Sequence, residues 1–530
     1  MDTPLNKPSA AARPGRARHT APLESWPRPR WKLGVSRPDL EVDDLPEPEQ
    51  ALGLRRLGLE ERILLLVGPA AIGVGLSIGS GEWMLGPLNV AQFGFRGIFW
   101  VVLISVVLQV FYNVELGRYT LATGESPLMG FGRVWPGAWL WIPLALLALY
   151  MSFILGGWTV SAGQSLFALV TARPLGPEDV AISRQIGIAL LLSIFGLLLF
   201  GRKIERTLEI VQAAFIPYIL LGLLMVSIVI VPGEYWGQAL RGLLLPARPP
   251  AGTDVTLLGA LAGFAALASG LNFMFIGYYR DKGYGMGART GYLPGLFGGQ
   301  AGTLHSTGKT FPENERSAAA WKRWFRLLLL DQWGLYFICV LLGMLLPSVL
   351  GGYLVSTSGM PANTLDPVTL IATLLGQRFG QLLAGWALIV GFAVLYSTQM
   401  VVLELLTRNL TEAVYLSSAR LQDWTGNDPR WVYYPVMLGL IIVITAAIYI
   451  SGLVIEQDLA TRLSTISANM ANLAAMIFPL LLIYLNRRLP RPARSSWWST
   501  VVLVAMALFF GFFFVNFLSV QLTGAALVEF

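Results

Sequence analysis

Glu82 stands alone in a long apolar run. It follows Gly79-Ser80-Gly81 within GPAAIGVGLSIGSGEWMLGPLNVAQFG, where it is the only charged residue. A carboxylate at membrane depth is costly unless it is paired, protonated or bound to an ion, so function is its first reading. It can hold a cation, or gain and lose a proton. The structural alternative is a protonated acid bonding a neighbouring helix. Gly79-Ser80-Gly81 makes a poor helix interior, because each glycine costs about 1 kcal/mol relative to alanine. A second apolar run, LLGALAGFAALASGLNFMFIGYY, carries Ala268-Ser269-Gly270 at its middle and Asn272 just beyond. Unwound backbone offers carbonyls and amides, and the ends of half-helices add partial charges. Gly79, Ser80, Glu82, Ala268, Ser269 and Asn272 are therefore the candidate binding set for an ion or small solute, with Glu82 the possible metal ligand. Glycines in membrane helices also serve close packing; two clusters at matching places weigh against that reading.

Other polar residues are weaker candidates. Tyr396, Ser397, Thr398, Gln399 and Glu404 share one apolar segment. Glu404 precedes Arg408 by one helical turn, so an ion pair at the membrane interface explains it. Gln399 lies deeper and is a pathway candidate. So is Asn469, which recurs with Ser464, Ser467 and Asn472 on another segment; bonding between helices is the plainer explanation there. The run Arg280-Asp281-Lys282-Gly283-Tyr284-Gly285-Met286-Gly287 suits a gate or docking loop whose charges pair, but lacks the ending of a phosphate-binding loop. Gly75-Leu76-Ser77-Ile78-Gly79 matches a nucleophile elbow only in letters, since no strand precedes it. With two histidines, a single cysteine (Cys339) and no Ser-His-Asp set, the sequence gives no sign of an enzyme, a cofactor or a disulfide.

The elements that hold these residues follow from composition. The 530 residues are 55% hydrophobic and 13% charged, with mean hydropathy +0.61; soluble proteins carry about 25% charged residues. Most of the surface must face lipid. Eleven segments are long enough to span the bilayer as helices: roughly 63–93, 97–117, 137–171, 185–200, 205–231, 255–277, 327–346, 381–404, 433–450, 460–484 and 497–519. The third, with Gly156-Gly157 inside it, reads as one tilted helix or two short ones. With the N-terminus in the cytoplasm, 31 of the 38 Lys and Arg fall on the cytoplasmic side, as the positive-inside rule requires. That placement accounts for the charge of +7 without a nucleic-acid partner. No secretory signal is evident, since the first apolar stretch begins near Ile63. Residues 1–60, rich in Pro and mixed charge, read as a disordered cytoplasmic tail with room for a short helix at its end. Residues 61–488 form the core, in two halves at about 61–231 and 255–488; 489–530 add a short basic loop and a final helix. Five helices per half place the halves in opposite orientations. Interrupted helices opening each half are the best sequence pointer to a transport site.

From Gly68-Pro69 through Trp83 the chain resembles the Nramp family of divalent-metal permeases, and the likeness extends over roughly 60–485 through the long third helix, the Gly201-Arg202-Lys203 hinge and the broken sixth helix. It implies an all-α LeuT-type inverted repeat of five plus five helices with one extra C-terminal helix. It also implies a cytoplasmic N-terminus and proton-coupled cation uptake. The motif is altered. The family's Asp-Pro-Gly-Asn falls on Gly79, Ser80, Gly81 and Glu82, and its Met-Pro-His falls near Ser269-Gly270-Leu271. The soft thioether that favours transition metals is missing. The third helix also lacks an acidic residue and the ninth an arginine, which departs from the family's proton route.

These readings lead to a secondary transporter in the plasma (inner) membrane. Its partners are the lipid bilayer and a transported cation, a hard divalent ion such as Mg²⁺ or Mn²⁺ suiting oxygen ligands best. An ion-coupled permease for a small organic solute and a non-transporting membrane sensor are the alternatives. Protein partners are not indicated.

Overall fold

The computed structural model describes residues 41–52, 69–79, 81–153, 157–173, 179–199, 204–267, 270–290, 308–359, 367–426, 428–454 and 459–530. Among them, nine helices are long and apolar enough to cross a membrane: Ile98–Thr123, Ala138–Thr171, Ala181–Leu199, Leu208–Ile230, Glu315–Ser358, Gln381–Ser417, Arg430–Ile450, Ser464–Asn486 and Trp497–Thr523. They are the second to fifth and seventh to eleventh expected spans. The first and sixth escape a length criterion because both are interrupted. The join in the third, at 154–156, lies outside the described residues.

Two spans are longer than their hydropathy indicates. The seventh begins at Glu315 with an amphipathic stretch that buries Trp321, Trp324 and Leu328, passes through a π-helical segment at Leu330–Tyr336 and ends at Ser358. The eighth runs unbroken over Gln381–Ser417. Short helices at Gly233–Leu244 and Pro367–Phe379 connect spans five to six and seven to eight. Gly124 ends the second span at φ 65°, where a Cβ would lie 2.7 Å from the Met286 carbonyl. Only glycine suits both the left-handed backbone and that approach.

Burial sorts the spans into centre and periphery. The most apolar stretches of the second, seventh and eighth are 72%, 72% and 83% buried, against 28% and 39% for the fourth and fifth. On the fifth, Leu221, Met225 and Val229 are exposed, as expected of a helix whose outer face meets lipid. The polar residues concentrate inside, on the central helices.

The tail expectation needs correction over 41–52. Glu41–Val42 pairs in parallel with Lys309–Thr310, and a short helix follows at Pro48–Ala51. Leu45 and Leu52 are buried, the Trp324 indole donates to the Pro46 carbonyl at 2.8 Å, and Arg323 pairs with Glu47. This stretch is ordered because Leu45 and Leu52 find an apolar surface on the chain itself. Residues 1–40 and 53–60 lie outside the described residues.

Candidate functional site

The first span is helical over 69–77, bends at Ile78 and Gly79, and resumes as a π-helical turn at Gly81–Leu85 that leads into the α-helix Gly86–Phe93. Ser80 lies outside the described residues. Glu82 reaches back over the break, its Oε2 accepting the Gly79 amide at 3.0 Å. A donor orphaned by the interrupted ladder is thereby satisfied. The sixth span is helical over Val255–Phe264, bends through Ala265–Leu267, and resumes at Leu271–Phe275 and Gly277–Asp281. Ala268 and Ser269 also lie outside the described residues.

The two breaks touch. A Cβ on Gly81 would lie 2.4 Å from the Phe264 carbonyl, so glycine lets the half-helices meet. Around the contact is a small cavity of about 20 Å³, room for about one water molecule. The first span lines it with Leu76, Ser77, Gly79, Gly81 and Glu82, and the sixth with Phe264, Ala266, Leu267 and Leu271. Phe153 and Trp158 of the third span and Thr398 and Val402 of the eighth complete it. Glu82 is its only charged lining residue among those described, and is 1% exposed.

Beside the cavity, oxygens converge without enough protons between them. The Thr398 hydroxyl lies 3.4 Å from the Gly75 carbonyl, 3.1 Å from that of Ile78 and 2.9 Å from that of Val394. Ser397 Oγ stands 3.1 Å from the same Val394 oxygen. One hydroxyl proton serves one acceptor well, so Thr398 leaves two of the three carbonyls without its proton. Gly75 and Ile78 are available because the first helix stops there.

The expected site residues divide. Gly79 and Glu82 line the cavity. Asn272 does not: its Nδ2 donates to Asn113 Oδ1 at 2.7 Å, tying the sixth span to the second. Asn469 donates its Nδ2 to the Thr256 carbonyl at 2.8 Å, as Asn472 does to Gly259 at 3.1 Å, and the Oδ1 of each has no partner among the described residues. Both are short-range helix-to-helix bonds, and neither residue is in the cavity lining. Gln399 is fully buried, and both its amide atoms lack a hydrogen-bond partner among the described residues; its neighbour Thr398 holds the position at the break. No group of three or more His, Cys, Asp or Glu that could hold a metal occurs among the described residues.

Beyond the cavity, the charged run after the sixth span and the Glu404–Arg408 pair join in one ion network, which the sequence indicated only as two separate features. Glu404 and Arg408 do form the expected pair, with Nε to Oε1 at 2.8 Å. They are buried rather than interfacial, at 0% and 1% exposure. Arg408 also pairs with Asp281, Arg280 bonds Asp281 at 3.0 Å and Glu412 at 2.6 Å, and Ser126 donates to Glu412 at 2.8 Å. Tyr278 donates to Glu404 and lies under the Arg408 guanidinium. The charged run after the sixth span is thus clamped to the eighth. Its sequence signals were the i,i+4 spacing of Glu404 and Arg408 and the adjacent opposite charges of Arg280 and Asp281; nothing in the sequence joined the two.

No protein-family model matches the sequence, and no curated protein does. Solved structures match over most of the chain. A point mutant of the Eremococcus coleocola manganese transporter gives a TM-score of 0.56 at 14% identity, covering 92% of this chain and 90% of that one. The same transporter in complex with an aromatic bis-isothiourea compound gives 0.54 at 13%, covering 92% of each. MhsT in complex with L-phenylalanine gives 0.53 at 16%, covering 86% of this chain and 98% of the other. These neighbours are LeuT-fold secondary transporters, and likeness at such identity concerns the fold. The chain is an integral multi-pass membrane protein of that all-α, inverted-repeat architecture.

Proposed function

We propose that this chain is a secondary transporter, distantly Nramp-related, that couples a monovalent cation to movement of a small solute through the cavity between its two broken helices. The supporting observation is the pairing of that cavity with the oxygen cluster at Thr398. The cluster is made of carbonyls and hydroxyls without a carboxylate. Neutral oxygens replace the hydration shell of a monovalent ion, whereas a dehydrated divalent ion needs carboxylate charge as well. Because the cluster draws on the first and eighth spans together, an ion there fixes the break relative to its neighbour. That is the coupling a symporter requires. The N-terminus is cytoplasmic and the membrane is the plasma membrane in this reading, which includes no enzymatic step.

A second reading takes a hard divalent cation, Mg²⁺ or Mn²⁺, as the cargo itself, with Glu82 its ligand. The unengaged oxygen of Glu82 favours it. The rest of the lining, mostly hydrocarbon, favours an organic solute.

Two measurements test the proposal. Na⁺ is expected to raise the unfolding temperature of the purified protein relative to an equal concentration of Cs⁺. At a hundred times its Kd the gain is about 2.7 kcal/mol. Thr398→Val should abolish the shift while leaving the protein folded. In proteoliposomes a Na⁺ gradient should drive uptake that Glu82→Gln removes. If Na⁺, Li⁺, K⁺ and Cs⁺ left stability and flux alike, the coupling site would be wrong.

A further inference from the structure

Glu82 has one oxygen engaged and one idle. Oε2 accepts the Gly79 amide, while Oε1 has no hydrogen-bond partner among the described residues despite complete burial. No Lys, Arg or His is among the residues lining the cavity. Three aromatic rings are. Phe153 lies nearly parallel to Trp158, with centroids 5.7 Å apart at 22°, and to Phe264, 6.0 Å apart at 13°. Trp158 and Phe264 are 6.2 Å apart. Ala, Leu and Val make up most of the remaining lining.

An ionised carboxylate buried with an idle acceptor needs a positive partner. A hard divalent ion requires about six or more oxygens. The hydroxyls at hand are occupied: Ser77 bonds the Gly73 carbonyl and Tyr336, each at 2.8 Å, and Thr398 faces its carbonyls. An ammonium centre suits both chemistries of the cavity. Its charge meets Glu82 Oε1, and its carbons lie against ring faces whose quadrupole attracts a cation, most strongly in a dry site.

Resting on the transporter reading above, we infer that the solute is a small organic cation, an amine or quaternary ammonium with a compact apolar body. Its charge is met by Glu82 and its body packs among Phe153, Trp158 and Phe264 once those rings part, since the closed cavity of about 20 Å³ holds about one water. The carboxylate sets the sign of the cargo and the rings its apolar character.

The test uses the full chain in lipid nanodiscs, with binding followed by calorimetry. The probes are phenethylamine and tetramethylammonium, with phenylacetate and Mn²⁺ as counter-probes. At least one ammonium probe should bind about tenfold or more tightly than phenylacetate. Glu82→Gln should weaken it by about thirtyfold or more, the scale of losing one side of a buried charge pair, while Glu82→Asp retains part of the affinity. Trp158→Leu should weaken ammonium binding about threefold or more. It also decides the matter should Glu82→Gln fail to fold. The inference is overturned if neither ammonium probe outbinds phenylacetate, if Glu82→Gln or Trp158→Leu binds unchanged, or if Mn²⁺ alone shows Glu82-dependent binding. Glu82-dependent ammonium binding without flux in proteoliposomes would uphold the inferred site and remove the transporter reading. Na⁺-driven flux of another solute, with no ammonium binding, would do the reverse.

Discussion

Gly81 shows how much of the site hangs on a missing side chain. The nearest neighbour of an added Cβ would be the Phe264 carbonyl oxygen at 2.4 Å, with Phe264 Cβ at 2.7 Å. A main-chain atom at a helix end cannot swing aside as a flexible side chain does. Gly81→Ala therefore has to push the two half-helices apart, at a cost of about 1–3 kcal/mol by the usual scale of overpacking. Transport should fall to background at equal expression, with a modest drop in unfolding temperature. Gly196→Ala is the control, since a Cβ there meets nothing within 4 Å. If Gly81→Ala transported normally, close contact of the breaks would not matter. At this scale the sequence was only partly legible. Glu82 and Gly79 stood out because charge and glycine are conspicuous in an apolar helix. Thr398 did not, because a hydroxyl is unremarkable until the carbonyls opposite are known. Asn272 looked equally eligible, and only the structure shows its Nδ2 turned to Asn113, away from the cavity lining, with its Oδ1 without a partner among the described residues.

At the scale of elements, hydropathy located the spans and misjudged their lengths. The seventh span was shortened because Glu315–Leu329 carries Arg316, Lys322, Arg323 and Arg326 along with its buried tryptophans. Window averages cancel two such faces, whereas a helical period separates them. The eighth was cut near Glu404 because charge was taken to mark the membrane surface. Its continuation instead buries Glu404, Arg408 and Glu412 against Arg280 and Asp281. Removing one member of such a set leaves charges uncompensated, at a cost of about 3–5 kcal/mol. Arg408→Ala strands Glu404 and leaves Asp281 with Arg280 alone, so its unfolding temperature should fall by many degrees. Glu404→Gln combined with Arg408→Gln removes one charge of each sign, and should fall by less than Arg408→Ala alone. Thermal unfolding in one detergent compares them. If the double variant were the less stable, the network would not be acting through charge balance.

At the scale of the whole molecule, the two broken helices and the buried second, seventh and eighth spans make a polar centre inside an apolar periphery. The distribution of basic residues then gives this architecture a direction. Arg and Lys crowd the segments before the first span and between the sixth and seventh, and are sparse on the opposite side. Lys and Arg flanking a span resist translocation, and this bias is the ground for the proposed orientation, with the N-terminus in the cytoplasm. It places Trp424, between the eighth and ninth spans, inside, and Gln377, between the seventh and eighth, outside. Both are exposed. Cys339 is the chain's single cysteine and is half-buried, so Cys339→Ser yields a background free of thiols. On it, Gln377→Cys should react with a membrane-impermeant maleimide in intact cells, and Trp424→Cys only after the membrane is opened. The inverse pattern would turn the molecule over. The ion network would then seal the outward end of the cavity instead of the inward one, because Arg408 lies between Val402 at the cavity and Trp424 beyond the membrane. The labelling pattern therefore fixes which side of the membrane the cavity must open toward when that network breaks.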